Sequence, residues 1–245
     1  GDGDSLAIGG NHTIHMLRRN VGIKVLMFNN KIYGLTKGQY SPTSEQGKVT
    51  KSTPMGSIDY PFNPLSVALG ADGTFVARTI DVEAKHLQDI VKRAYEHRGT
   101  SFVEILQNCN IVNDGAYAPL TEKDSKAETQ LVLEHGKPLV FGKHRDKGIR
   151  MNGHSLEVVQ LGNGLSESGL TESGLTESDL IVHDETDTAL AFLLSLMTPP
   201  RFPTPVGVVS CIERQPYEEI LHEQIRAAKQ RQGEGDLSAL FSRGD

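Results

Sequence analysis

The chain has 245 residues, an apolar fraction of 37% and a formal net charge of -6. That length suits one large domain or two modest ones around a sizeable core, and the acidic, interspersed charge argues against a nucleic-acid binder. No apolar run approaches the roughly 20 residues that a bilayer crossing needs, so no membrane partner is expected. The only two cysteines, Cys109 and Cys211, make no disulfide framework, and without a charged-then-apolar leader the expectation is a cytoplasmic protein.

The first elements carry the chemistry. Gly1-Asp2-Gly3-Asp4 opens as a turn, and Ser5 caps a helix whose apolar face runs through Leu6, Ile8, Ile14, Met16 and Leu17 to Arg19. A buried strand follows at Ile23 to Phe28 and ends in Asn29-Asn30. Glycines beside an aspartate let backbone N–H groups approach a phosphate, and the helix directs its positive end at the same spot. Asp2 with its carboxylate and Asn30 with its amide oxygen are hard ligands that suit Mg²⁺ completed by phosphate oxygens. A dinucleotide fingerprint fails because its third glycine position holds Leu6 and the strand ends in asparagine. An EF-hand loop fails because its sixth and twelfth places hold Ala7 and Thr13. His12 and His15 share a helix face but lack a nearby third ligand, so packing or a supporting role behind the cofactor's ligands is expected there rather than a metal. Gly9 and Gly10 each weaken the helix by ~1 kcal/mol relative to alanine, which suggests a close approach to a strand or cofactor. No strand precedes the opening turn, so a fragment lacking its N-terminal part is expected.

Gly-Asp-Gly, some 25 residues and then Asn-Asn resembles the thiamine-diphosphate (ThDP) motif. The words Ile8-Gly9-Gly10-Asn11-His12, Arg18-Arg19-Asn20, Ile32 to Gln39 and Ser41-Pro42-Thr43-Ser44 are similar to the beta subunit of 2-oxoacid:ferredoxin oxidoreductases, nearest the 2-oxoglutarate type of actinobacteria. The likeness runs from residue 1 to about 142 and recurs more weakly near the C-terminus. It implies that Gly1, Asp2, Gly3, Asp4, Asn30, Ile32, Gly34, Leu35 and Thr36 hold the cofactor, and that Mg²⁺ takes Asp2, Asn30 and the Ile32 backbone carbonyl. It implies that Lys37 meets the substrate carboxylate. It also implies that Cys109, within Leu106-Gln107-Asn108-Cys109, is one ligand of a [4Fe-4S] cluster whose other three lie upstream. The expected partners are an alpha subunit supplying a catalytic glutamate, ferredoxin, coenzyme A and a 2-oxo acid. The expected activity is oxidative decarboxylation of that 2-oxo acid. A different ThDP decarboxylase or synthase, or a non-catalytic subunit, would share the same anchor.

Further along, Tyr33 to Ser44 reads as a ligand-covering loop beyond the strand, and residues 45–62 as a long polar loop. Asn63-Pro64 opens a short helix to Leu69. Strands are expected at Thr74 to Thr79 and Ser101 to Leu106, flanking a helix at Glu83 to Arg98. Alternating strands and helices imply an α/β fold with a doubly wound parallel sheet, the ThDP-binding fold, filling residues 1–142. Residues 143–187 read as a linker, with a Gly-Leu-Ser/Thr-Glu-Ser repeat at 164–178. Residues 188–245 read as an irregular, helical C-terminal extension: a helix at Thr188 to Met197, a possible short strand at Gly207-Val208-Val209 and a helix at Tyr217 to Gln230. Cys211 is expected to be structural.

Overall fold

The computed structural model describes residues 1–162 and 174–243. The opening segment divides where one helix is expected. A π-helical turn, Asp4–Ile8, gives way at Gly9 to α1 (Gly10–Arg19). The Gly9 N–H reaches five residues back to the Asp4 carbonyl at 2.8 Å, and a Cβ on Gly9 would stand 2.4 Å from that same oxygen. The glycine therefore serves the helix's own irregular turn, and a Cβ at Gly10 would meet nothing within 4 Å.

The next elements are β1 (Lys24–Asn29), α2 (Pro64–Gly70), β2 (Phe75–Ile80), α3 (Ala84–Glu96) and β3 (Ser101–Leu106). Asn63 caps α2 by accepting the Ser66 N–H, with Pro64 in the first turn, where its missing donor costs nothing. Every residue of β2 and β3 is buried, as parallel strands covered on both faces require. Met27, Val76, Phe102 and Val209 meet α1 and α2 on one face. On the other, Phe75, Ala77, Val103 and Ile105 meet Ile90 and Ala94 of α3. Alternation of side chains along each strand divides them in this way.

Two short helices, α4 (Ala118–Thr121) and α5 (Lys126–Thr129), lead into β4 (Gln130–Val132). Then come β5 (Val140–Phe141), β6 (Lys147–Asn152), β7 (Ser155–Gln160), α6 (Thr188–Ser195), β8 (Thr204–Cys211), α7 (Tyr217–Gln232) and α8 (Leu237–Ser242). The main sheet has the order β1-β3-β2-β8-β4. Its first three strands are parallel, β8 is antiparallel to β2, and β4 is parallel to β8. The α/β architecture is as expected, but the sheet is mixed rather than wholly parallel.

The difference lies beyond residue 142. In the stretch expected to be a linker, β6 and β7 pair in register from Lys147↔Gln160 to Asn152↔Ser155 and form a three-stranded sheet with β5. Residues 164–173 of the repeat lie outside the described residues. The stretch expected to be a helical extension supplies β8, whose Val206, Val208 and Val209 are buried within the main sheet. The apolar run at 206–209 made a strand legible, but its place between β2 and β4 depends on residues some 75 and 130 positions away.

Candidate cofactor and metal site

β1 delivers Asn29 and Asn30 to the carboxyl edge of the parallel strands, where α/β sheets gather ligands. Asn29 is the inward member of the pair, 3% exposed. Its Nδ2 donates to Glu104 Oε1 at 2.7 Å, and its Oδ1 accepts the Lys31 N–H at 3.1 Å. Asn30 turns the other way: its Oδ1 accepts the Ile32 N–H at 3.3 Å, closing a local turn. Its carbonyl accepts Asn113 Nδ2 at 2.9 Å.

Asp2 is 2% exposed. The Thr43 hydroxyl lies 2.7 Å from Asp2 Oδ2 and 2.9 Å from Asn29 Oδ1. The structure thus joins Asp2 to the Asn-Asn pair through Thr43 and Asn29, with Asn30 alongside. No ion pair is made by Asp2 among the described residues, and a buried carboxylate without a cation is costly. Those residues fit a divalent ion: a carboxylate in need of positive charge, an amide oxygen at Asn30, and an Ile32 carbonyl that accepts no hydrogen bond among the described residues. No cluster of three or more His, Cys, Asp or Glu side chains arises among the described residues, so oxygen ligands of other kinds must complete any such site.

Gly3 is where the Tyr33 side chain comes close to the backbone. A Cβ there would fall 2.2 Å from the Tyr33 ring, and the Tyr33 hydroxyl donates to the Gly3 carbonyl at 3.0 Å. The aromatic ring is what comes close. Burial, then the charges of Asp4 and Asp2, raises the Tyr33 hydroxyl above its ordinary pKa and keeps it a donor. Gly1 and Asp4 are exposed, and a Cβ on Gly1 would make only an ordinary contact.

Beyond Ile32 the loop folds on itself. The Tyr33 N–H donates to Gln39 O at 2.9 Å and the Gly38 N–H to Tyr33 O at 2.8 Å. Gly34, Leu35, Thr36 and Lys37 are exposed at its tip. Lys37 has φ +77, and the structure does not bring its side chain to Asp2. Cys109 stands half-buried three residues past β3, with its sulfur against this loop: a Cβ on Gly34 would lie 3.9 Å from Sγ. Cys211 is aligned with Phe75 at the opposite edge of the sheet, beside His97 Nδ1 at 3.9 Å. Burial raises its thiol pKa, as suits an inert cysteine. His12 and His15 are exposed.

Sequence reasoning missed the support beneath the site. Arg78 Nε donates to Glu104 Oε2 at 2.7 Å, so a continuous buried rail runs Arg78–Glu104–Asn29–Thr43–Asp2. One charge in each of two otherwise uncharged strands, Phe-Val-Ala-Arg-Thr-Ile and Ser-Phe-Val-Glu-Ile-Leu, was the available signal. Beside the rail lies a cavity of about 390 Å³ lined by Asn29, Thr43, Arg78, Glu104, Tyr117 and Met197, among others. Tyr117 is held well above the ordinary phenol pKa, by burial first and then by the Glu104 charge. Burial tends to raise Glu45, but the Lys31 hydrogen bond and charge outweigh it and leave its carboxyl below the usual range.

In sequence, residues 1–105 are similar to the family described as thiamine pyrophosphate enzyme, C-terminal TPP binding domain. More particularly, the chain is 46% identical over 232 residues to the 2-oxoglutarate oxidoreductase subunit KorB of Mycobacterium tuberculosis, covering 94% of this chain and 59% of that one. It is also 46% identical over 114 residues to the 2-oxoacid:ferredoxin oxidoreductase subunit beta of Saccharolobus solfataricus, covering 46% of this chain and 37% of that one. A solved 2-oxoglutarate:ferredoxin oxidoreductase from Magnetococcus marinus, with 2-oxoglutarate, coenzyme A and succinyl-CoA bound, shares the fold at a TM-score of 0.68 and 24% identity, over 100% of this chain and 65% of that one. The resemblance to 2-oxoacid:ferredoxin oxidoreductase beta subunits is therefore real, and the chain spans about three-fifths of the length of the first of these relatives.

Proposed function

We propose that this chain forms the diphosphate- and Mg²⁺-binding side of a ThDP-dependent oxidoreductase that acts on a 2-oxo acid, with 2-oxoglutarate the favoured substrate. The observation that carries the reading is the buried Asp2 carboxylate, unpaired by any cation among the described residues and tied through Thr43 to the Asn29-Asn30 strand end. Asp2, Asn30 and the Ile32 carbonyl would hold Mg²⁺. Backbone groups of Gly1, Gly3 and Asp4, with Gly34, Leu35 and Thr36 of the facing loop, would surround the diphosphate. When bound, ThDP supplies a carbon nucleophile for the 2-oxo group and takes up the electrons left by decarboxylation.

The chain's own contribution is to bind and orient. The loop 33–39 would cover the diphosphate, and Lys37 at its exposed tip is the group that would meet a substrate carboxylate. Cys109, seated against that loop, would give one of the four thiolates that a [4Fe-4S] cluster requires; Cys211, at the far edge of the sheet, is not a second. The remaining thiolates, the glutamate that protonates the cofactor, the coenzyme A acceptor and the ferredoxin that takes the electrons would come from outside these residues.

Thermal unfolding of the protein with ThDP and Mg²⁺ tests the reading. Ligand at 100 times its Kd stabilises the native state by about 2.7 kcal/mol. The melting temperature should rise with both present and fall back when EDTA is added. No rise at millimolar ThDP and Mg²⁺ overturns the assignment.

A further inference from the structure

Thr43 stands next to Asp2 at the end of the rail. Its hydroxyl has one hydrogen and two acceptors within reach, Asp2 Oδ2 at 2.7 Å and Asn29 Oδ1 at 2.9 Å. Asp2 is charged and the closer of the two, and so the stronger acceptor, so the Thr43 hydrogen is best used on Asp2. That choice engages Oδ2 and leaves Oδ1 as the carboxylate oxygen free for a cation.

Thr43 is itself held firmly. Ser41, Thr43 and Ser44 are all buried, at 2%, 5% and 3% exposure. Ser41 Oγ lies 3.2 Å from the Thr43 hydroxyl. Ser44 Oγ accepts the Ser41 N–H at 2.8 Å and donates to the Lys31 carbonyl at 2.6 Å. The Ser41-Pro42-Thr43-Ser44 turn is thus fastened to the end of β1, and Asn29 is fastened in turn to Glu104 and Arg78. Asp2 is thus oriented through one hydroxyl by a buried turn fastened to the Lys31 carbonyl just past β1.

We propose that Thr43 is a positioning residue for the Mg²⁺-binding carboxylate, fixing the rotamer of Asp2 from the buried Ser41-Pro42-Thr43-Ser44 turn. This rests on the reading of Asp2 as a Mg²⁺ ligand. Groups that orient a metal ligand without touching the metal cost about 10- to 100-fold in affinity when removed.

The test is calorimetric titration of Mg²⁺ into the full-length protein saturated with ThDP, with ligand-free melting curves alongside. Thr43→Val should weaken Mg²⁺ binding about 10- to 100-fold, and Thr43→Ala, which adds no bulk, should do the same. Thr43→Ser, which keeps the hydroxyl, should restore affinity close to that of the unaltered protein. If Thr43→Val and Thr43→Ala bind Mg²⁺ as the unaltered protein does, the positioning role is overturned while the ThDP reading stands. A loss of melting temperature without a loss of affinity overturns that role equally, because Thr43 is then only structural. If the unaltered protein binds no Mg²⁺, both fall.

Discussion

Arg78 and Glu104 stand directly opposite each other on β2 and β3, with Arg78 Nε donating to Glu104 Oε2 at 2.7 Å. Their side chains are 9% and 1% exposed, on two buried strands that carry no other charge. Glu104 divides its two oxygens between Arg78 and Asn29, so the pair both neutralises charge and anchors the strand end that carries the site.

Removing one member leaves the other charged and buried. Arg78→Leu or Glu104→Leu should each cost about 3–5 kcal/mol of unfolding free energy. The double replacement, which leaves no orphaned charge, should cost less than the sum of the two. Urea unfolding of all four proteins forms a double-mutant cycle. Additive losses would show that the two side chains do not act as a pair.

Acid should weaken the fold before the carboxylates titrate. His183 is 1% exposed, its Nε2 lies 2.8 Å from the Val208 carbonyl, and its Nδ1 has no partner among the described residues. Burial lowers the pKa of His183, and burial likewise lowers those of His86 and His97. As pH falls below about 6.5, the unfolded chain takes up protons that these three refuse. Their contribution is therefore complete above about 6.5 and declines below it, toward their depressed folded-state values. Urea midpoints should be flat from pH 8 to 7 and drop toward pH 5, with a shallower slope in His183→Gln. A midpoint that rises on acidification contradicts this assignment.

The segment from residue 188 onward should be indispensable to the fold. It supplies β8, hydrogen-bonded between β2 and β4, and the buried Leu190, Ala191 and Leu194 of α6. A protein ending at residue 187 should lose cooperative unfolding and become sensitive to trypsin. One ending at residue 232 loses α8, which has no buried residue, and should melt close to the uncut protein. Equal melting temperatures for both truncations would show that β8 adds nothing to the main sheet.

Much of the arrangement was legible from local pattern. Asn63-Pro64 announced α2, the apolar stripe at Leu87, Ile90, Val91 and Ala94 announced α3, and short apolar runs announced β1, β2 and β3, because caps and periodicity are properties of neighbouring residues. The β6–β7 hairpin had its own signal in Gly153-His154, a two-residue loop whose first residue, Gly153, has φ +61, between alternating apolar positions; the polar repeat close by masked it. Motif spacing pointed to Asp2 and the Asn-Asn pair as neighbours, and the fold joins them through Thr43.

Other features had no local trace. Nothing near Gly3 announces that the Tyr33 ring will press against it, and nothing near Thr43 announces its contact with Asp2, 41 residues away. The direction and neighbours of β8 were equally silent. By itself the sequence determined most helices and strands up to residue 106, where caps and periodicity are strong. Only the tertiary structure decided which strands lie side by side, which asparagine faces inward and which hydroxyl meets the carboxylate, because hydrogen-bond partners of buried polar groups are chosen by packing between distant segments.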